Sequence, residues 1–121
     1  MTSGVVVYEA VDGGNDFKFN HFNGAAEKIE NIARDTVIGK TVCEVFPGVK
    51  EFGLFETLQR VWKNGQPEHL PITFYTDERM SGWRENYIAR LPSGEVLVVY
   101  DDVTERRQYE EALRASEEIL R

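Results

Sequence analysis

The most informative part of this chain is the segment VLVVYDDVTERRQYEEALRASEEILR, residues 96–121. Its first five residues are apolar on both faces of an extended strand, which is typical of a central strand or of one covered on both sides. The strand stops at two aspartates, and a charged helix begins directly after them. A strand that continues at once into a surface helix predicts a domain that passes movement on through its C-terminal end.

Composition narrows the class of protein. Among the 121 residues, 41% are apolar and 29% are charged, which suits one compact core with a solvated surface. The net charge of −7 argues against nucleic acid and against a direct contact with an anionic membrane. We expect no membrane span and no signal peptide. The single cysteine, Cys43, fits a reducing compartment, so the sequence predicts a cytoplasmic domain whose parent protein is free to be anchored elsewhere.

Turn signals divide the first half of the chain into a hairpin and a group of helices. Strands are predicted at residues 5–10 and 17–22, joined by a Gly-rich turn into an antiparallel pair. Asn23 is a suitable N-cap for a short helix, and short helical turns follow it. A longer helix is predicted at residues 51–64, because its apolar residues share one helical face, and Gly65 ends it.

Three further strands are predicted at residues 69–76, 83–91 and 95–101. Helices grouped between two sets of strands exclude an alternating parallel sheet. The sequence therefore predicts an α+β fold, in which short helices cover one face of a five-stranded antiparallel sheet. A C-terminal coiled-coil helix follows the last strand.

Four short segments carry a resemblance to a known family. They are NGAAE at residues 23–27, VIGK at residues 37–40, WRENY with LPSG within residues 83–94, and DVTER at residues 102–106. In type and order they resemble the helix opening, inter-helix step, penultimate strand and D-[IV]-T-E-[RK] junction of the PAS domain, or sensory box. This sensory module occurs in bacterial and archaeal signalling proteins. The resemblance covers about residues 4–121, and it implies the same five-stranded fold.

The first candidate site is the junction formed by Asp102, Val103 and Thr104. An Asp carboxylate at a strand end can accept hydrogen bonds from exposed amides and from the Thr hydroxyl, and Thr104 can cap the helix that follows. Such a network would fix the angle at which the helix departs. In the family that the chain resembles, this junction is the signal exit; the alternative is a helix cap without a signalling role.

The resemblance divides the chain at this junction. Residues 1–104 would be the PAS sensory domain, and residues 105–121 would begin the signalling helix. A candidate coiled-coil seam with alternating spacings of three and four residues runs through Arg106, Tyr109, Leu113, Ser116 and Leu120, and its apolar positions are Tyr109, Leu113 and Leu120. About two and a half heptads cannot hold a dimer alone, so a homodimer would depend on neighbouring domains. The alternative is a single amphipathic helix that lies back on its own sheet.

The space between the long helix and the sheet holds either a ligand pocket or a packed core. The candidate aromatic lining of a pocket consists of Tyr8, Trp62, Phe74, Tyr87 and Tyr100. Alternation along the strand at residues 83–91 places Arg84 and Asn86 on the face opposite to Tyr87. We expect the aromatic set inside, because a buried Arg84 would require an anionic partner.

The sequence gives little support for a cofactor. In haem-binding PAS domains the axial His lies on the long helix, whose matching stretch here has none; the two histidines are His21 and His69. Cys43 lacks the N-C-R-F-L-Q neighbours of the photoreactive flavin members. These residues do not show zinc-site spacing either. The cofactor is therefore unknown, with haem and photoreactive flavin disfavoured and no metal expected.

These features predict a sensory domain without catalytic activity of its own. It would relay a small-molecule or conformational signal through its last helix to the output domain of a sensor histidine kinase, in a two-component system, or of a diguanylate cyclase. A ligand-free dimerisation module is an equal alternative. The rival from another class is a small α+β enzyme resembling ketosteroid isomerase, which would need a buried carboxylate on the sheet, with Glu85 the first candidate.

Overall fold

The fold is given by a computed structural model of the single chain, which describes residues 2–120 and, for residues 117–120, the backbone alone. The strands are β1 (Gly4–Val11), β2 (Asp16–Phe22), β3 (Glu68–Thr76), β4 (Ser81–Arg90) and β5 (Val96–Asp102). The helices are α1 (Gly24–Glu30), α2 (Arg34–Val37), α3 (Val42–Val45), α4 (Val49–Phe52), α5 (Leu54–Asn64) and α6 (Thr104–Leu120).

The five strands form one antiparallel sheet in the order β2-β1-β5-β4-β3. β5 lies at the centre, as its apolar sequence predicts. Its Val98 is the register partner of Val6 on β1 and of Ile88 on β4, and all three side chains are buried. The predicted hairpin and three-stranded meander are confirmed, with small differences at the strand ends.

Helices α1 to α5 cover one face of the sheet and enclose the core, which confirms the predicted α+β fold. Asn23 caps α1 as expected: its side-chain oxygen accepts the N–H of Ala26 at 2.9 Å. The same oxygen accepts the N–H of Val5 at 2.9 Å, so the cap also fastens α1 to β1. The largest fully buried side chains include Phe17, Phe19, Phe22, Leu58 and Ile88.

The long helix differs from its prediction. Residues 51–64 form parts of two helices, because Gly53 has a φ of 95°, which ends α4 in the left-handed conformation. The apolar pattern continues across the break, since Phe52 and Leu54 are each only 7% exposed. Gly65 ends α5 as predicted, and its N–H donates to the carbonyl oxygen of Val61 at 2.9 Å.

Helix α6 extends beyond the sheet. Residues 108–116 are all exposed, with Tyr109 at 70% and Leu113 at 49%. The alternative in which this helix lies back on its own sheet is therefore wrong. The side chain of Leu120 lies outside the described residues, and the coiled-coil seam stays a prediction. Within the described part of the chain, no helix has the length and apolar character needed to cross a bilayer.

Candidate functional site

The junction between β5 and α6 is built around one carboxylate oxygen of Asp102. This oxygen accepts the backbone N–H of Thr104 at 3.0 Å and the Thr104 hydroxyl at 2.5 Å. The hydroxyl oxygen of Thr104 in turn accepts the backbone N–H of Trp83 at 2.9 Å. The sequence predicted hydrogen bonds between Asp102 and Thr104, and the structure adds β4 to the same network.

Trp83 holds the first turn of α6 through two further contacts. Its carbonyl oxygen accepts the N–H of Val103, which is 5% exposed, at 3.0 Å. The guanidinium carbon of Arg107 lies 4.3 Å from the ring centroid of Trp83, within the range of a cation–π contact. The departure of α6 is therefore fixed by backbone, hydroxyl and ring contacts that all meet on one residue of β4.

Arg84 connects this junction to the interior of the domain. Its side chain is buried; Nη1 donates to Oδ1 of Asp102 and Nη2 donates to Oε1 of Glu30, each at 3.0 Å. The second carboxylate oxygen of Glu30 accepts the phenol hydroxyl of Tyr100 at 2.9 Å. One guanidinium thus joins the last residue of α1 to the last residue of β5.

The phenol of Tyr100 is a hydrogen-bond donor in this network. Burial, and then the negative charge of Glu30, raise the pKa of Tyr100 well above its usual value. The hydroxyl therefore stays protonated at neutral pH and donates to the carboxylate. Glu30 is in this way held from two sides, by a cation and by a neutral donor.

Because Gly82 has no side chain, it leaves room for the side chains of Arg84 and Thr104 in this network. A Cβ at this position would lie 2.4 Å from Nη1 of Arg84 and 2.9 Å from Oγ1 of Thr104. The first distance is shorter than van der Waals contact allows, so any side chain here would displace the guanidinium. The sequence marks Gly82 only as part of a turn, and its second role appears once the strands are paired.

A cavity of about 40 Å³ lies between the helices and the sheet, beside the Glu30–Arg84 pair. Apolar side chains form most of its wall, and the polar side chains at the wall belong to Tyr8, Glu30, Tyr75, Arg84, Asn86 and Tyr100. One buried water molecule needs roughly 10–15 Å³ of cavity volume, measured as the space open to a water-sized sphere. Organic ligands usually occupy pockets of about 300 Å³ or more. In this conformation the cavity is of a size for a few water molecules.

Asn86 brings unused hydrogen-bonding capacity to the cavity wall. The residue is 3% exposed, and its Nδ2 has no hydrogen-bond partner among the residues that the structure describes. Leaving a buried donor unsatisfied costs about 1–3 kcal/mol. A water molecule or a small hydrogen-bond acceptor in the cavity would therefore gain a contact at this amide.

The structure separates the five aromatic residues that were predicted to line a pocket. Tyr8 and Tyr100 border the cavity. Phe74 and Tyr87 are 45% and 49% exposed, so the expectation that they face inward is wrong. Trp62 packs at the margin of the core against Gly14, where a Cβ would lie 2.5 Å from the indole ring.

The orientation of β4 explains this correction. Arg84, Asn86 and Ile88 are buried on the face that carries the helices, opposite to the expected orientation. A buried guanidinium needs anionic partners, and Glu30 and Asp102 supply them. The sequence signal that could have revealed this arrangement is Glu30. It is a carboxylate at the end of the short helix α1, whose other buried residue, Ala26, is apolar.

The rival enzyme hypothesis requires a buried carboxylate at Glu85. Instead, Glu85 lies on the outer face of the sheet, where an oxygen of its carboxylate is 2.8 Å from Nε2 of His69. The imidazole of His69 is stacked on the ring of Tyr87, with the centroids 4.5 Å apart. The carboxylate that does reach the interior is Glu30, and it is paired with Arg84.

Cys43 lies beside Asp16 and is half-buried. Burial, and then the negative charge of Asp16, raise the pKa of the Cys43 thiol to about 11, so the thiol is protonated at neutral pH. The described residues contain no group of three His, Cys, Asp or Glu side chains placed to bind a metal ion.

Comparisons with known proteins agree with this architecture. A family model described as the PAS fold matches residues 5–108, and the chain belongs to the PAS family. A search of curated proteins found no significant match.

Three solved structures illustrate the likeness of the fold. The PAS domain of a protein from Colwellia psychrerythraea has a TM-score of 0.66 at 16% identity, covering 87% of this chain and 89% of that one. A domain of a sensory box sensor histidine kinase/response regulator from Geobacter sulfurreducens has a TM-score of 0.64 at 18% identity, covering 84% and 83%. The PAS domain of the histidine kinase ThkA has a TM-score of 0.57 at 17% identity, covering 83% and 99%.

Replacing Arg84 by Met tests the buried ion pair. The substitution leaves the Glu30 carboxylate buried without its cation, which typically costs about 3–5 kcal/mol. We expect a loss of this size in the free energy of unfolding measured by urea denaturation. The double variant Arg84→Met/Glu30→Met should lose less than the single variant, because it removes both charges.

The matched control is Arg60→Met. Arg60 also pairs with a carboxylate, Glu68, at 2.9 Å, but its side chain is 52% exposed, and an exposed pair contributes about 1 kcal/mol or less. Equal losses for Arg84→Met and Arg60→Met would contradict the assignment of a structural ion pair to Glu30 and Arg84.

Proposed function

We propose that this chain is a regulatory PAS domain that relays a conformational signal through Asp102, Val103 and Thr104 to an output domain. Residues 1–104 are the sensory part, and residues 105–121 begin the signalling helix. The observation that carries this proposal is the hydrogen-bond network that fastens β4, β5 and α6 to one another. Because only Val103 separates β5 from α6, a tilt of the strand is delivered to the helix.

The proposed output domain is a histidine kinase. Likeness of fold to domains of a sensor histidine kinase/response regulator and of the histidine kinase ThkA supports this choice; a diguanylate cyclase is the other option that the junction motif allows. Both are dimeric enzymes that paired helices can regulate. The exposed apolar side chains of Tyr109 and Leu113 support a parallel coiled-coil homodimer, in which this domain lies in the cytoplasm and the parent protein is free to be anchored elsewhere.

The proposed domain does not itself catalyse a reaction. Its interior carboxylate, Glu30, is paired with Arg84 and is therefore not available as a free base beside the cavity. The cavity volume of about 40 Å³ favours a water-filled coupling module. A sensor of a small ligand is the second candidate, and the unpartnered Nδ2 of Asn86 is the observation in its favour.

Native mass spectrometry of the purified chain distinguishes these two candidates. We expect the mass of the polypeptide alone, because the cavity has room for water and not for an organic molecule. An added mass in stoichiometric amount that disappears on denaturation would contradict the coupling module and establish the ligand sensor.

Replacing Asp102 by Ala tests the junction. The change removes the acceptor for the N–H and hydroxyl of Thr104, and losing a cap of this kind costs about 0.5–2 kcal/mol. We expect hydrogen exchange at the amides of Thr104 and Arg107 to become about tenfold faster, the factor that corresponds to about 1.4 kcal/mol. Amides of the β1–β2 hairpin should keep their rates.

Asp101→Ala is the control for this experiment. Asp101 is the neighbouring carboxylate, but it accepts a hydrogen bond from the hydroxyl of Ser3 and does not contact Thr104. If the two variants accelerate exchange in α6 equally, or if Asp102→Ala has no effect there, the junction does not set the position of α6.

A further inference from the structure

Glu30 binds the interior side of the Arg84 guanidinium, whose other side binds Asp102 at the junction. It is the last residue of α1, it borders the cavity, and its side chain is 10% exposed. Its backbone carbonyl oxygen also accepts Nη1 of Arg79 at 3.0 Å, which ties this end of α1 to the turn between β3 and β4. Asp102, at the other end of the same guanidinium, has a side chain that is 37% exposed.

The planar guanidinium of Arg84 makes the two ends dependent on each other. Its nitrogens are held in one rigid plane, so Nη1 and Nη2 cannot move independently. The contact with Glu30 lies in the interior, where Coulomb interactions are less screened than at the more exposed Asp102. At the equal distance of 3.0 Å, the Coulomb attraction of Glu30 therefore acts on the guanidinium more strongly than that of Asp102.

We propose that Arg84 is a positioning residue that couples the cavity to α6. A change in the charge or hydrogen bonding of Glu30 moves the guanidinium, and the guanidinium moves Asp102 and the helix that Asp102 caps. This inference rests on the proposed function, because it supplies the route by which the interior reaches the junction. Whatever occupies the cavity next to Asn86 lies beside Glu30 and acts on α6 through this route.

Fluorine NMR of the chain labelled with 5-fluorotryptophan tests the coupling. The chain has two tryptophans, and Trp62→Phe assigns the two resonances. Trp83 is a direct reporter, since its N–H and carbonyl oxygen bind Thr104 and Val103. We expect Glu30→Gln, which keeps the size of the side chain and removes its charge, to shift the Trp83 resonance of the folded protein.

Glu68→Gln is the matched control. It removes the charge of a second carboxylate that is paired with an arginine, Arg60, at a place that does not touch the junction. The Trp83 resonance should keep its position in this variant. Native-state chemical shifts do not depend on overall stability, so a general loss of stability cannot produce the expected difference.

A background substitution shows whether Arg84 carries the effect. In Arg84→Lys the positive charge remains, but the ammonium lacks the fork that holds two carboxylates in fixed geometry. The shift caused by Glu30→Gln should be lost in this background.

The outcomes separate this inference from the proposed function. If Asp102→Ala shifts the Trp83 resonance while Glu30→Gln leaves it in place, the coupling through Arg84 is overturned and the junction stands. If neither variant shifts it, the proposed function fails as well. If Glu30→Gln does not fold, Tyr100→Phe removes one hydrogen bond to Glu30 and no charge; an unchanged Trp83 resonance in that variant likewise overturns the coupling.

Discussion

The buried guanidinium of Arg84 sets the orientation of β4 and the starting point of α6. A cation in the interior requires carboxylate partners, and Glu30 and Asp102 meet that requirement from the ends of α1 and β5. The requirement orients β4, because it turns Arg84 toward the helices and Tyr87 toward the outside. It also places the start of α6, since the carboxylate that binds the guanidinium is the one that caps the helix.

A buried ion pair contributes little net stability compared with apolar side chains of the same volume, because desolvation offsets the Coulomb attraction. Its physical effect is to define position. In this PAS domain the Glu30–Arg84 pair lies between a cavity of about 40 Å³ and the junction with α6. The pair therefore positions the start of α6, where the chain leaves the domain. The polar interior therefore has a mechanical role that an apolar core of equal stability would not provide.

Sequence reasoning succeeded where the determining contacts are local. Asp102 and Thr104 are two residues apart, and the Asn23 cap and the Gly65 terminus depend on neighbouring residues, so their patterns predict their structure. The two faces of β4 also followed from alternation, but which face is buried depends on Glu30, 54 residues before Arg84. The alternation of residues along a strand cannot identify an ion-pair partner that is so far away in sequence. The break at Gly53 was missed because Phe52 and Leu54, on either side of it, both reach the core.

The contacts of Trp83, Asp102 and Thr104 hold the first turn of α6 in a fixed orientation to the sheet. Residual dipolar couplings of backbone amides, measured in one alignment medium, report this orientation. We expect a single alignment tensor to fit the amides of β4, β5 and residues 104–107. Couplings of residues 104–107 that are reduced, or that require a second tensor, would mean that a hinge separates α6 from β5 and that the junction does not fix the helix.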